Sequence, residues 1–282
     1  MERIRPAAVA GSFYPASPQR LRTTVETLLA QAQPKALAGE VRGLIVPHAG
    51  YIYSGPVAAT GYKIIQALTP NPSPVGKLRE REGAAGVRAS SRILLLGPAH
   101  YVYFVGAATV DCDAWQTPLG LVKCAKDLIA HALERHELQN NPDAHAPEHS
   151  LEVHLPFLQI VLPYCEIFPI LTGECDYREL AHVLSSYMDK IDLFVVSSDL
   201  SHYYSYDEAV ARDAWAHKAI ENLDLALMEE RVEACGKTAI LTLMRIAQDH
   251  KWRAQLLDYR NSGDTAGDKF RVVGYGCYAF YE

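Results

Sequence analysis

Several things are scarce or missing in this chain, and each absence narrows the reading. No apolar run approaches the roughly 20 residues that a membrane-spanning helix requires. The opening stretch, "MERIRPAAVAGSFYP", has no continuous apolar segment of the signal-peptide kind, so the cytoplasm is the expected location. Basic residues are outnumbered, 27 Lys and Arg against 33 Asp and Glu. A net charge of −6 argues against nucleic acid or an anionic membrane as the main partner. The 6 cysteines, at positions 112, 124, 165, 175, 235 and 277, include no CxxC pair. That spacing gives neither a disulfide framework nor a structural zinc site, and each cysteine reads first as a small buried hydrophobe. No P-loop and no GxSxG occurs, and "VVGYGCY" lacks the third glycine of a dinucleotide fingerprint. Phosphoryl transfer and α/β-hydrolase chemistry are without support.

What is present is an alternation of short buried runs and helical patterns. Ser17-Pro18 reads as an N-cap with proline at the first helical position, opening a helix to about Gln33. "VRGLIVP" is a buried strand, followed by a helix over "SGPVAATGYKIIQAL". Residues 69–91, rich in Pro, Gly, Ser and charge, read as a flexible surface insertion, because "RILLLG" resumes a strand at once. Further strands are expected at 104–110, 119–123, "CEIFPIL" and "DLFVVS". Helices are expected near 125–135, 151–162, 177–189, 206–222 and 236–249, with two closing strands around a Gly/Asp loop. The pattern predicts one α/β domain over 1–282 with a mostly parallel central sheet flanked by helices.

Three of the buried strands end in a histidine-bearing turn: "GLIVPHAGY" delivers His48, "RILLLGPAHY" delivers His100, and "DLFVVSSDLSHYY" delivers Asp199 and His202. In open α/β sheets the ligand crevice lies beyond the carboxyl ends of the strands, so these turns aim imidazoles into one place. Proline one or two residues ahead stiffens the turns of His48 and His100. Neutral imidazole is both the commonest metal ligand and a general base, although a hydrogen-bonded structural histidine fits either position too. Asp199, near His202, is of the kind that fixes an imidazole tautomer and raises its basicity; an N-cap beside a surface histidine is the alternative.

"PEHSLEVHLPFL" is the densest polar patch, with Glu148, His149, Glu152 and His154. The spacing is not HExxH, which removes the zinc-protease reading. His149 and Glu152 would share a helix face and Ser150 could cap it, or the carboxylates simply complement a helix dipole. Cys235, in "EACGKTAIL", sits where a helix start and Lys237 would both lower a thiol pKa, though spacing alone favours a plain buried cysteine.

"AGSFYP", "VPHAGYIYSG", "GPAHY", "WQTPLG", "EHSLEVHLPFL", "SSDLSHY", "CGKTAI" and "NSGDTAGDKFRVVGYG" occur in this order from residue 10 to the C-terminus. Together they resemble the Memo-like family, called AmmeMemoRadiSam system protein B in prokaryotes. The resemblance implies a fold like that of class III extradiol dioxygenases, with a metal-type pocket at the strand ends. It implies that His48, His100 and Cys235 hold iron or copper, the metal positions of family members. Asp199 and His202 match pocket residues, His202 standing where the dioxygenases keep an acid–base histidine. The reading is then a cytoplasmic redox enzyme, dioxygenase-like in fold, acting on a small molecule. His202 is its acid–base group, oriented by Asp199, with His149 lining the pocket. A thiolate in place of the dioxygenase carboxylate speaks against aromatic ring cleavage. A non-enzymatic module capturing a peptide or metabolite, or a metal-handling protein, are the competing readings. The family's name implies functional links to a radical-SAM protein and an AMMECR-type protein.

Overall fold

The computed structural model describes residues 2–68 and 90–282. The insertion expected at 69–91 therefore lies, apart from its last two residues, outside the described residues. Among the described residues the strands join in one 12-stranded sheet. Its centre is parallel and runs, side by side, Gly120–Cys124, Glu166–Thr172, Arg92–Pro98, Leu193–Ser197 and Val41–Val46. The middle strands are continuous β-branched and leucine runs because both faces are covered: Leu44, Ile45, Leu94, Leu95, Val195 and Val196 have no exposed surface.

Outward from this centre the sheet turns antiparallel. Val272–Tyr281 pairs with Val41–Val46 on one side and with Arg253–Asn261 on the other, as the two closing strands of the sequence suggest. Beyond it lies the short strand His202–Tyr204. At the opposite edge, Ala114–Thr117 and Gly120–Cys124 form a hairpin, and Ile4–Arg5 adds on in parallel. The sheet is thus mixed, and mostly parallel only in its core.

Helices flank it. Ser17 caps the helix Pro18–Gln31 by accepting from the Arg20 N–H, with proline at its first position, as expected. Tyr51–Leu68 starts three residues earlier than the sequence suggested and carries Pro56 inside it. Gly61 of this helix exists for contact: a Cβ there would stand 2.9 Å from Cys277 Sγ and 3.2 Å from Val46, so only glycine lets the helix lie this close to the sheet.

Some expectations change in detail. The strand at 104–110 shrinks to Ala107–Thr109. The expected helix at 151–162 begins as a 3-10 turn, Glu152–His154, before Leu155–Val161 becomes regular. The helix Leu225–Arg231, capped by Asp224, and the hairpin strand Ala114–Thr117 were not anticipated. No described helix is long and apolar enough to cross a membrane.

Candidate metal centre

The strands Val41–Val46, Leu193–Ser197 and Arg92–Pro98 are neighbours in that order, and all three point the same way. Two residues past their ends stand His48, Asp199 and His100. The crevice anticipated from the sequence therefore forms. The His48 and His100 rings meet edge to face with centroids 5.0 Å apart. His149 closes the group, stacked on His100 at 4.6 Å and edge-on to His48 at 5.4 Å. One ring nitrogen from each of these three lies within 4.8 Å of the others, so the group could hold a metal ion.

The protonation of His48 follows from one hydroxyl. Ser197 Oγ donates to the Ser150 carbonyl oxygen at 2.6 Å, which uses its only proton. It must then accept from both imidazoles that touch it, His48 Nδ1 at 2.7 Å and His154 Nε2 at 2.9 Å. His48 is fully buried, and burial holds its pKa well below the ordinary histidine value, with the other imidazoles adding to the effect. The ring is therefore neutral, protonated on Nδ1, with the Nε2 lone pair aimed into the crevice. That is the form in which imidazole binds a cation. His154 is likewise neutral, its pKa lowered to about 3 by burial.

Glu148 does the same for His100. Its carboxylate accepts from His100 Nδ1 at 2.9 Å and from the backbone N–H groups of His100, His149 and Ser150. Burial alone would raise its pKa, but these bonds outweigh it and bring the carboxyl down to about 2. A permanent carboxylate on Nδ1 leaves His100 Nε2 facing outward, the carboxylate–histidine arrangement that supports a metal ligand. The His149 pKa is lowered to about 4 by burial, against the pull of Glu148. His149 Nδ1 stands 3.3 Å from Glu148 Oε1, yet the geometry makes no hydrogen bond, and this buried nitrogen has no partner.

Cys235 stands at the edge of this group, its Sγ 3.3 Å from His48 Nε2. Donor atoms on one tetrahedral ion lie about 3.3–3.6 Å apart, so this pair already has the spacing of co-ligands. The loop reaches the site because Gly236 carries no Cβ: one would meet the Ser197 carbonyl oxygen at 2.5 Å. Gly236 N–H also donates to Ser198 Oγ at 2.9 Å. The expected activation of the thiol by its surroundings is corrected here. Lys237 turns away to donate to the Glu229 carbonyl at 2.5 Å, and burial, reinforced by the Asp199 charge, pushes the thiol up to about 12. The thiol is thus protonated until a cation displaces that proton, since ligation by sulfur requires the thiolate.

Asp199 also differs from expectation. Its carboxylate does not touch His202; Oδ1 accepts from the His48 backbone N–H at 2.8 Å, and the Ala49 N–H adds a second bond. Burial pushes its pKa up to about 7 against these two bonds. Asp199 therefore fixes the turn that carries His48 instead of orienting His202. His202 sits on the short strand paired with Val273, half-buried, with its backbone N–H on Glu233 at 3.3 Å. Burial lowers its pKa, and it lies within electrostatic range of His48 and His100.

The "PEHSLEVHLPFL" patch divides where a shared helix face was expected. His149 joins the His48 and His100 rings, whereas Glu152 turns away from them and pairs with buried Arg5 at 2.6 Å. It also accepts from the Ala8 and Val9 N–H groups and the Tyr14 hydroxyl. Ser150 caps nothing: its hydroxyl donates to the Pro98 carbonyl, tying this segment to the strand end before His100. Sequence reasoning missed Ser197 and left Glu148 open. The partners of Ser197 come from turns 47 and 149 positions away, a distance at which no local pattern carries a signal.

Comparison with known proteins points the same way as the motifs. A family model described as Memo-like protein matches residues 5–279. A MEMO1 family protein of Ignicoccus hospitalis is 34% identical over 299 residues, covering 98% of each chain. One from Methanopyrus kandleri is 33% identical over 300 residues, again at 98% of each. One from Aquifex aeolicus is 32% identical over 284 residues and 97% of each chain.

Proposed function

Because this chain belongs to the Memo-like protein family, we propose that its crevice holds an iron or copper ion and serves a redox reaction on a small molecule. The observation that carries this reading is the convergence of His48, His100 and His149, with Cys235 Sγ 3.3 Å from the first of them. Imidazole and thiolate together suit borderline and soft ions, not the hard cations that prefer oxygen. An ion there would supply a Lewis-acid and one-electron centre. The rest belongs to the chain. Ser197 keeps the His48 lone pair directed inward, Glu148 does so for His100, and Asp199 holds the His48 turn still. His202, kept neutral at pH 7 by burial, is the group placed to accept a proton from a bound ligand.

The parallel strands and the site at their carboxyl ends fit the architecture of class III extradiol dioxygenases, which use two histidines and a carboxylate. Cys235 in the carboxylate's place directs the reading away from ring cleavage. Functional partnership with a radical-SAM protein and an AMMECR-type protein forms part of the proposal, in line with the family's name.

The test is to load the chelator-stripped protein with iron or copper, then measure bound metal and oxygen consumption with candidate metabolites. The parent should hold about one ion per chain, and His202→Ala should keep it while losing roughly 10²–10⁴-fold in turnover. Metal retention with no turnover on any metabolite would instead make this a binding or metal-handling protein. Failure to retain either metal would overturn the proposal.

A further inference from the structure

Away from the crevice, at the opposite edge of the sheet, two buried cysteines face each other. Cys112 and Cys124 are 5% and 4% exposed, and their Sγ atoms stand 3.5 Å apart. The backbone brings them together. Ala114 pairs with Lys123 in the hairpin register, and the Cys124 N–H donates to the Asp113 carbonyl at 3.0 Å. A tight turn, with the Cys112 N–H on the Val110 carbonyl, then folds Cys112 back over that pair. We propose that Cys112 and Cys124 are a dithiol that a hydroperoxide converts to a reversible disulfide.

The separation is the first support. A disulfide needs the sulfurs at about 2.05 Å, so each has less than an ångström to move. The two sulfurs are in hydrogen-bond contact with each other. The second support is asymmetry. The hydrogen bond from Cys124 holds the Cys112 thiol below its ordinary range against the effect of burial, and the Arg5 charge adds to this. Cys124 is pushed up correspondingly, by that bond and by burial. The Arg5 guanidinium, paired with Glu152, lies 4.0 Å above the Trp115 ring and within electrostatic range of Cys112. Cys112 is thus the attacking sulfur and Cys124 the resolving one.

The steps balance. The Cys112 thiolate attacks one peroxide oxygen, the O–O bond breaks, and the other oxygen leaves as an alcohol, or as water from hydrogen peroxide, after taking the proton that Cys112 gave up, giving a sulfenic acid. Cys124 then attacks that sulfur, the S–O bond breaks, and the departing hydroxide takes the Cys124 proton as water. Two thiols lose two hydrogens and the peroxide is reduced. Burial favours this small oxidant over bulky disulfides.

The experiment treats chelator-stripped, folded protein with hydrogen peroxide, blocks remaining thiols in denaturant, and maps peptides by mass spectrometry. A peptide linking Cys112 to Cys124, present in most molecules and lost on treatment with dithiothreitol, is the expected result. Cys124→Ser should instead leave Cys112 as a sulfenic acid that dimedone captures. Recovery of both residues as free thiols from the parent would overturn the proposal, and that mapping decides the matter even if the variant does not fold.

Discussion

Ser197 has one hydroxyl proton, and the Ser150 carbonyl takes it, which obliges two imidazoles to donate to the same oxygen. Removing that oxygen leaves His48 Nδ1 and His154 Nε2 buried and unsatisfied, at about 1–3 kcal/mol for such a loss. It also frees His48 to adopt the other tautomer, with its lone pair turned away from the crevice. Ser197→Ala should therefore weaken iron or copper binding about 10–100-fold, the usual effect of losing a group that orients a ligand. Chelator competition measures this directly. Unchanged affinity would mean that His48 is held by packing alone. Thr in place of Ser would restore the oxygen and should recover most of the loss, provided its methyl group fits.

Elements carry these residues to one place through close approaches that leave no slack. Gly236 is the sharpest case, since a Cβ would stand 2.5 Å from the Ser197 carbonyl oxygen and 2.8 Å from Ser198 Cβ, both on stiff backbone. Gly236→Ala should cost about 1–3 kcal/mol by overpacking and push Cys235 away from His48. Urea unfolding together with metal content checks it, and a variant equal to the parent in both would refute the close-approach reading. The central strands were legible in the sequence because a strand buried on both faces must be an unbroken apolar run, as in "GLIVP", "RILLLG" and "LFVVS". Their histidine-bearing turns, and hence the crevice, followed from topology. Ala114–Thr117 was missed because it is short and lies near the sheet's edge, and Leu225–Arg231 because about two helical turns show little periodicity. The Asp199–His202 pairing failed for another reason. Three residues of separation suggested a partnership, but the chain folds Asp199 back onto a turn 151 positions away.

At the scale of the whole molecule, buried imidazoles govern the response to acid. His48, His145 and His154 have almost no exposed surface, and burial lowers all three, His145 and His154 to about 3. Their unfolded counterparts take a proton near pH 6.5, so between these values the unfolded chain binds more protons and the fold loses stability as pH falls. By about pH 5 each fully buried imidazole costs about 2 kcal/mol. Asp199 works in the opposite sense, because its folded pKa of about 7 lies above its unfolded value and acid stabilises it by a similar amount. One imidazole is thereby cancelled and the others dominate. Urea midpoints of metal-free protein should drop clearly between about pH 7.5 and pH 5. A midpoint that holds or rises over that range would show that these histidines accept protons in the folded state.

The central claim, that three imidazoles and one thiol converge on a single ion, is tested most directly by X-ray absorption at the metal edge of the iron- or copper-loaded protein. His48, His100 and His149 grouped together, with Cys235 Sγ beside His48, predict nitrogen scatterers at about 2.0–2.1 Å and one sulfur at about 2.3 Å, the sulfur vanishing in Cys235→Ser. A shell of light atoms only, identical in the parent and in Cys235→Ser, would contradict it.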